Sequence, residues 1–305
     1  MSATVAADTS VPHPSAARKS MLLMIAFVGL WAIVEAIAAP LFSRISGYQI
    51  VWARYGVHLS FMLLIWGWRN PSVLWRTRRP LYQIGRSLLM LGMPVSWIIS
   101  VQHGVTSSVL MTIFWLAPLL ILALTPLVLK ERVRLRYWVV AAVAYAGACL
   151  VSVPAAPSTL SDLVFPAGMA GTFALYVVMT RALRGETVHA NLFYTALGVF
   201  ASLSLVMPGV WVQPSVPDAF ALIAIGLLGF GALLALDRSA SAAPLSASAP
   251  LIYMQAPITI ALAVALSYVH PDARTLLGGA LIGCMAIYLW LREPGRPRSA
   301  SQDIP

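Results

Sequence analysis

The 305-residue chain is 60% hydrophobic and only 10% charged, with a mean hydropathy of +0.83. Soluble globular proteins carry about 25% charged residues, so this composition excludes a soluble domain and indicates an integral membrane protein. The net charge of +10 does not point to nucleic acid, because the basic residues lie in short clusters between apolar runs. We therefore expect the lipid bilayer, and no nucleic acid, as a partner.

Ten apolar runs divide the chain into candidate membrane spans. A bilayer core about 30 Å thick is crossed by about 20 helical residues, and lipid offers no hydrogen bonds to any other backbone conformation. The sequence thus predicts an all-α membrane protein of ten transmembrane helices. The predicted spans are residues 21–40, 50–68, 84–103, 107–129, 137–153, 162–180, 191–211, 219–236, 244–268 and 275–291. Residues 1–20 and 292–305 are predicted to be cytoplasmic tails, the first of them disordered.

The basic residues predict the orientation of these spans. They precede the first run, fill every second connection and return in the C-terminal tail, whereas the alternate connections contain only Arg44 and Arg274. Cytoplasmic loops carry the excess of Lys and Arg, so both termini are expected in the cytoplasm. The basic clusters are Arg18 and Lys19; Arg69, Arg76, Arg78, Arg79 and Arg86; Lys130, Arg132, Arg134 and Arg136; Arg181 and Arg184; Arg238; and Arg292, Arg296 and Arg298.

The sequence repeats itself at an offset of about 139 positions. This offset aligns residues 21–153 with residues 162–291, five predicted spans with five. Because five is odd, the second copy enters the membrane from the opposite side, and we expect two inverted five-helix repeats. Such repeats form a substrate site near the middle of the bilayer and alternate its access by moving against each other. The pairs without a gap include Gly29 with Gly168, Tyr55 with Tyr194, Gly92 with Gly231, Ser107 with Ser246, Ala117 with Ala256 and Pro118 with Pro257.

The motifs of these repeats resemble those of the drug/metabolite transporter superfamily, in particular its branch with two EamA domains. The resemblance rests on the Ser107–Ser108 start of span four, Ala117–Pro118 within it and the KERV sequence at 130–133, and in the second copy on Ser246 and Ala256–Pro257. It implies a carrier of small organic solutes in the cytoplasmic (inner) membrane of a bacterium. It does not specify the solute.

Ionisable residues inside predicted spans are the leading site candidates, because a charge in lipid is costly. Glu35 in span one and Arg54 in span two are expected at a similar depth. They form either a structural ion pair or a site in which Glu35 binds protons or an ammonium group and Arg54 binds a carboxylate. His58, one helical turn from Arg54, is either a proton relay or a hydrogen-bonded residue of the helix bundle.

Aromatic and polar residues near these charges complete the predicted site. Trp31, Trp97, Trp115, Tyr253 and Gln255 are expected to contact substrate, although packing in the bundle or against lipid is an alternative for each. Pro118 and Pro257 occupy equivalent repeat positions and are predicted hinges. Gly29, Ala32, Gly168 and Gly171 are expected to let the first helix of each copy pack closely.

The sequence therefore predicts a secondary transporter of a small solute, not an enzyme. It contains no nucleotide-binding glycine loop and no metal-ligand spacing, so no cofactor or metal is expected. Coupling to a proton gradient is the energy source that we consider. Export of amino acids or related metabolites is the leading hypothesis and efflux of drugs or cationic compounds the alternative. Direction, coupling ion and the choice between monomer and homodimer stay open.

Overall fold

The computed structural model describes residues 14–153, 157, 159–266 and 270–293. Within them the chain is helical, and nine helices are long and apolar enough to cross a membrane. A further helix of 17 residues is about 26 Å long and completes the bundle. The ten long helices are α1 Ala16–Ser43, α2 Gly47–Gly67, α3 Pro80–Gln102, α4 Ser107–Leu129, α5 Leu135–Ser152, α6 Asp162–Ala182, α7 Val188–Ser204, α8 Val216–Ala242, α9 Leu245–Ala265 and α10 Ala273–Arg292.

The ends of two predicted segments differ from the structure. Helical structure begins at Pro14, so the predicted tail and the first helix overlap over residues 14–20. Ser20 is fully buried there and exchanges hydrogen bonds with Ser239 of α8, which holds this turn against the bundle. The predicted span 191–211 is also wrong at its end, because α7 stops at Ser204 and a separate turn with Pro208 follows. Residues 1–13 and 294–305 of the predicted tails lie outside the described residues.

Helices α4 and α9 are both interrupted near their middle. In α4 the α-helix ends at Phe114 and resumes at Ala117, with Pro118 at the second position of the new segment. In α9 a 3₁₀ segment spans Ala249–Met254, and the α-helix resumes at Gln255. Proline lacks a backbone N–H, which explains why regular helix does not run through either position.

The long helices pack in pairs that are far apart in sequence. The largest contacts join α1 with α8 and α3 with α6, followed by α5 with α10, α8 with α2, α3 with α7 and α2 with α7. A single hydrophobic core runs through most of the bundle, with a smaller apolar cluster around Leu41 and Ile225 where α1 meets α8.

Close helix contacts occur at some of the expected small residues and also at other glycines. Ala32 is fully buried, and a Cβ on Gly168 of α6 would lie 3.2 Å from the Ser96 hydroxyl of α3. A Cβ on Gly278 would lie 2.5 Å from the carbonyl oxygen of Gly147, so α10 and α5 touch backbone to backbone. A Cβ on Gly198 of α7 would lie 2.2 Å from the Ser87 side chain of α3. By contrast, nothing lies within 4 Å of a Cβ on Gly29 or Gly171. The prediction for those two glycines was wrong, because their helix faces point away from the closest contacts.

Candidate functional site

A cavity of about 400 Å³ lies between α1, α2, α3, α4, α6 and α8. This volume is within the range of pockets that hold small organic ligands. Apart from a few polar groups, its wall consists of aromatic, aliphatic and methionine side chains. The lining residues are Trp31, Val34, Glu35, Ala38, Ala39, Phe42, Ile50, Val51, Arg54, Tyr55, Met90, Met93, Pro94, Trp97, Met111, Phe114, Met169 and Ile225.

Glu35 is the acidic residue of this cavity. It follows Trp31 by one turn of α1, so both side chains lie on one face of the helix. The Gln255 side chain, at the point where α9 resumes after its interruption, donates a hydrogen bond of 2.8 Å from Nε2 to Oε2 of Glu35. This bond fixes the carboxylate between α1 and α9.

Arg54 is the basic residue of the same cavity. Its side chain crosses Gly229 of α8 so closely that a Cβ there would lie 2.5 Å from Nε. The buried Nε has no hydrogen-bond acceptor in the described part of the chain, and the guanidinium lies 5.6 Å from the centre of the Tyr55 ring. The ion pairs found among the described residues do not join Arg54 to Glu35. The two charges thus share a cavity without neutralising each other directly.

A second cavity, of about 240 Å³, adjoins Glu35 from the side of α4, α5 and α9. Glu35 and Met111 line both cavities, so they form the boundary between them. The wall of the second cavity is richer in hydroxyl and amide groups. Its residues are Glu35, Ser107, Ser108, Met111, Trp115, Val151, Ser152, Gln255, Ala256, Thr259 and Ile260.

Two predicted site residues lie away from both cavities. His58 is 1% exposed and packs edge-on against Phe230 of α8, with its ring centre 5.0 Å away. The Tyr253 hydroxyl donates a hydrogen bond of 2.8 Å to the carbonyl oxygen of Trp115, which joins α9 to α4 at their interrupted segments. Their positions agree with roles in packing the bundle.

The predicted hinge prolines lie at the interruptions of their helices. Pro118 is buried at the start of the second segment of α4. Pro257 is the third residue of the resumed α9 helix, where its side chain faces Gly279 of α10. Neither proline lines a cavity, so any effect on substrate acts through the helix backbone.

A buried polar network closes the bundle beyond the first cavity. Its centre is Arg86 of α3, which is 1% exposed and lies one helical turn from the cavity residue Met90. The guanidinium donates to Thr180 of α6 at 3.0 Å and to Thr195 of α7 at 2.9 Å, and also to the backbone carbonyl of Asn191. Three helices, α3, α6 and α7, therefore meet at one buried cation.

The amides of Gln83 and Asn191 extend this network to an acid. Gln83 Nε2 donates to Asn191 Oδ1 at 2.6 Å, and Asn191 Nδ2 donates to Asp237 Oδ1 of α8 at 2.9 Å. The other carboxylate oxygen of Asp237 is buried without a donor among the described residues. Sequence reasoning missed this network, since Arg86 was counted with the loop cations and Asp237 precedes Arg238 in a connection. The available signal was the helical spacing of polar residues near the starts of two spans: Gln83 and Arg86 in α3, and Asn191 and Thr195 in α7.

Further contacts fasten the same end of the bundle. Lys130 ends α4 in the left-handed conformation with φ 57°, and Glu131 then pairs with Arg181 of α6 at 2.9 Å. Arg181 also donates to the backbone carbonyls of Ala240 and Ser241 at the end of α8. The KERV sequence thus acts as a helix cap and an anchor between helices.

A second set of contacts lies at the opposite end of the bundle. Arg44 pairs with Asp218 at 2.7 Å, and the Gln49 side chain exchanges two hydrogen bonds with the backbone of Val212. The first contact joins the end of α1 to the start of α8, and the second joins α2 to the segment before α8. The first cavity extends along α1 from Trp31 to Phe42, towards this end.

Membrane-crossing helices that enclose a solute-sized cavity, closed at one end by a buried polar network, have the architecture of a membrane transporter. No group of three metal-ligating side chains occurs among the described residues. Residues 18–153 match the EamA-like transporter family. This match, over a little under half of the chain, places these residues in the drug/metabolite transporter superfamily.

Similar proteins support the same class. A Rickettsia conorii protein named S-adenosylmethionine uptake transporter is 26% identical over 253 residues, which cover 81% of this chain and 84% of that protein. A Rickettsia prowazekii protein with the same name is 24% identical over 82% of this chain and 85% of its own length. A protein of known crystal structure has the same fold, with a TM-score of 0.79 and 17% identity over 90% of this chain and 98% of its own. The family and these names indicate a transporter rather than an enzyme.

Proposed function

We propose that the protein is a secondary carrier with ten transmembrane helices arranged as two inverted five-helix repeats. The packing supports this arrangement, because the contact of α1 with α8 has its counterpart in the contact of α3 with α6, as a two-fold exchange of the repeats requires. The interruptions of α4 and α9 support it as well, since Ala117 and Ala256 lie beside them and are aligned by the repeat offset. Movement of one repeat against the other would expose the cavity to each side in turn.

The proposed orientation puts both termini and the Arg86 network at the cytoplasmic face of a bacterial inner membrane. The basic loop residues support this choice, because they lie at the end of the bundle that contains the Glu131–Arg181 pair. In this orientation the first cavity faces the outside and the cytoplasmic end is closed.

The proposed substrate is a small amphipathic solute that carries both an amino-acid group and a second positive charge, as S-adenosylmethionine does. The observation that carries this proposal is the pair of unneutralised charges, Glu35 and Arg54, in one largely apolar cavity. Arg54 would bind the substrate carboxylate through its free donors, and Glu35 would bind an ammonium or sulfonium group. The rings of Trp31 and Trp97 would contact the cation and the apolar parts.

This proposal favours uptake of a sulfonium compound over the export of amino acids suggested by the sequence. The names of the Rickettsia relatives support the change, and the aromatic and methionine lining supports a ligand larger than a simple amino acid. The same lining would suit a lipophilic cation, so efflux of cationic compounds is the second candidate. Arg54 argues against it, because a carrier of purely cationic drugs gains nothing from a positive charge in its cavity.

Counterflow in proteoliposomes tests the proposal. Vesicles that contain purified protein and unlabelled S-adenosylmethionine should accumulate labelled S-adenosylmethionine, and empty vesicles should not. Neutral amino acids and cationic dyes are tested in parallel, with and without an imposed pH gradient. Accumulation of dyes without S-adenosylmethionine would favour efflux of cationic compounds, and accumulation of amino acids alone would return the assignment to amino-acid export. A response to the gradient would support proton coupling.

A further inference from the structure

The two cavities that meet at Glu35 differ in chemical character. The first contains both charged residues and otherwise a mainly aromatic, aliphatic and methionine wall. The second has no basic residue in its wall, and five of its eleven residues carry a hydroxyl or an amide. A wall of neutral hydrogen-bonding groups suits a neutral polar ligand part, whereas the first cavity suits a charged and apolar one.

Gln255 holds an unused acceptor at the boundary. It is 2% exposed and lines the second cavity, where its Nε2 donates to Glu35 and its Oε1 has no donor among the described residues. Buried amide oxygens are normally satisfied, since leaving one unpaired is costly. A hydroxyl or amine of a ligand in this cavity would supply the missing donor.

Two hydroxyls of the second cavity also have no hydrogen bond with another described residue. The Ser108 and Ser152 side chains are occupied, because Ser108 donates to the carbonyls of Ser152 and Val153 and Ser152 Oγ accepts from Trp115 Nε1. Ser107 and Thr259 line the same cavity as exposed residues, so their hydroxyls are accessible to a ligand. With Gln255 they present three free neutral groups to a ligand.

We propose that the two cavities form one two-part substrate site, in which the second cavity binds a hydroxyl-bearing part such as a ribose. This inference rests on the proposed transport of a sulfonium amino acid and deepens it. In S-adenosylmethionine the sulfonium joins the amino-acid chain to the ribose, and Glu35 occupies the corresponding junction between the cavities. Gln255 and Thr259 then determine specificity for a nucleoside over a simple alkyl group.

The test compares two sulfonium ligands that differ in this part. S-adenosylmethionine carries the ribose, whereas S-methylmethionine has a methyl group in its place and keeps the amino acid and the sulfonium. Thr259→Val removes a hydroxyl from the second cavity without touching Glu35. We expect it to weaken equilibrium binding of S-adenosylmethionine to the purified protein by about three- to tenfold, the value of a neutral hydrogen bond, and to leave S-methylmethionine unchanged.

Gln255→Met and Ile260→Val complete the design. Gln255→Met keeps the size of the side chain. It should weaken the binding of both ligands, because Glu35 loses its hydrogen bond from Gln255. It should weaken the binding of S-adenosylmethionine more, because the second cavity also loses an acceptor. Ile260→Val is the control, because Ile260 lines the second cavity without a polar group and should not change the ratio of the two affinities. Thermal stability of each variant in detergent verifies folding.

The outcomes separate the two proposals. An unchanged affinity ratio in Thr259→Val and Gln255→Met, with the wild type binding both ligands, would overturn the two-part site and leave the carrier assignment intact. If the wild-type protein bound neither sulfonium compound, the proposed function itself would be wrong. The proposal of a ribose site in the second cavity would then be wrong as well.

Discussion

At the residue scale, the proposed site depends on one carboxylate and one guanidinium that are kept apart. Glu35 accepts a hydrogen bond from Gln255, and the Arg54 side chain packs against Gly229. Each side chain is therefore positioned by a neighbour other than the opposite charge. An ion pair between them would lower the free-energy cost of burying the two charges, but neither group would then be available to bind a charged solute. Their separation is therefore the feature most closely connected with binding.

Glu35→Gln is expected to weaken binding of S-adenosylmethionine by about 10- to 100-fold, because a hydrogen bond to a charged group contributes about 1.5–3 kcal/mol. Glu35→Asp should retain part of the affinity. Competition binding on purified protein measures both. Glu186→Gln is the matched control, since Glu186 meets the Arg78 backbone in an exposed turn far from the cavities. Equal affinity in Glu35→Gln and the wild type would exclude Glu35 from the binding site.

Gly229→Ala tests the position of Arg54 without changing its charge. The new Cβ would lie 2.5 Å from Nε, so the guanidinium has to move. We expect the variant to lose preference for S-adenosylmethionine over its decarboxylated analogue, because the substrate carboxylate loses its partner. Gly231→Ala is the control, since a Cβ there meets Leu30 at an ordinary 3.4 Å. A preserved preference in Gly229→Ala, with folding intact, would contradict the role of Arg54.

The sequence predicted these charges and part of their surroundings, namely Trp31, Trp97 and Gln255. A carboxylate or guanidinium within an apolar run is visible without a structure, which is why Glu35 and Arg54 could be named. Arg86 lies at the start of the predicted third span but was grouped with the loop cations, because its burial depends on Thr180, Thr195 and Asn191 from other helices. The packing role of His58 likewise depends on Phe230 of a distant helix.

At the element scale, the interrupted helices are the parts of the bundle best suited to bend. Hydropathy predicted the position of α4 well, since an apolar run of 23 residues is distinctive. It could not predict the interruption, because the apolar character continues through Trp115 and Leu116 while the helix stops. The end of α7 was missed for the same reason, as residues after Ser204 stay apolar beyond the helix.

Pro118→Ala should lower the maximal rate of transport more than the affinity for substrate. The substitution restores a backbone donor and favours a continuous α4, which opposes bending between the two states. Initial rates of counterflow over a range of substrate concentrations separate the two effects. Pro126→Ala is the control, because Pro126 is exposed near the end of the same helix. An unchanged maximal rate in Pro118→Ala would mean that the interruption of α4 only shapes the static bundle.

At the scale of the whole molecule, the two ends of the bundle are fastened differently. The basic end is closed by the Arg86 network and by the Glu131–Arg181 pair, whereas the cavity extends towards the other end. The charge asymmetry of the loops was readable in the sequence, and it predicted an orientation. The sequence did not show which end is closed, because closure depends on contacts of α3 side chains with α6 and α7, and of Asn191 with α8, and these helices lie far from α3 in the chain.

The Arg86 network is expected to act as the cytoplasmic gate of the transport cycle. Met90 lines the cavity one turn from Arg86, so a cysteine there reports which side of the membrane reaches the cavity. In a background of Cys149→Ser and Cys284→Ser, Met90→Cys should react with an impermeant maleimide from the outside and hardly from the cytoplasmic side. Adding Gln83→Ala removes the amide that links Arg86 to Asn191, and it should raise cytoplasmic labelling by favouring the state open at that end.

Gln49→Ala provides the matched control for this gate. Gln49 is as deeply buried as Gln83, but its amide bonds the backbone of Val212 at the opposite end. Its loss should leave cytoplasmic labelling of Met90→Cys low, or lower it further, because the outer contacts are the ones weakened. If Gln83→Ala and Gln49→Ala reduced thermal stability alike and neither changed the sidedness of labelling, the network would be a structural core and the moving contacts would have to lie elsewhere. Opposite shifts in sidedness would instead assign the two buried amides to the two gates of one alternating cycle.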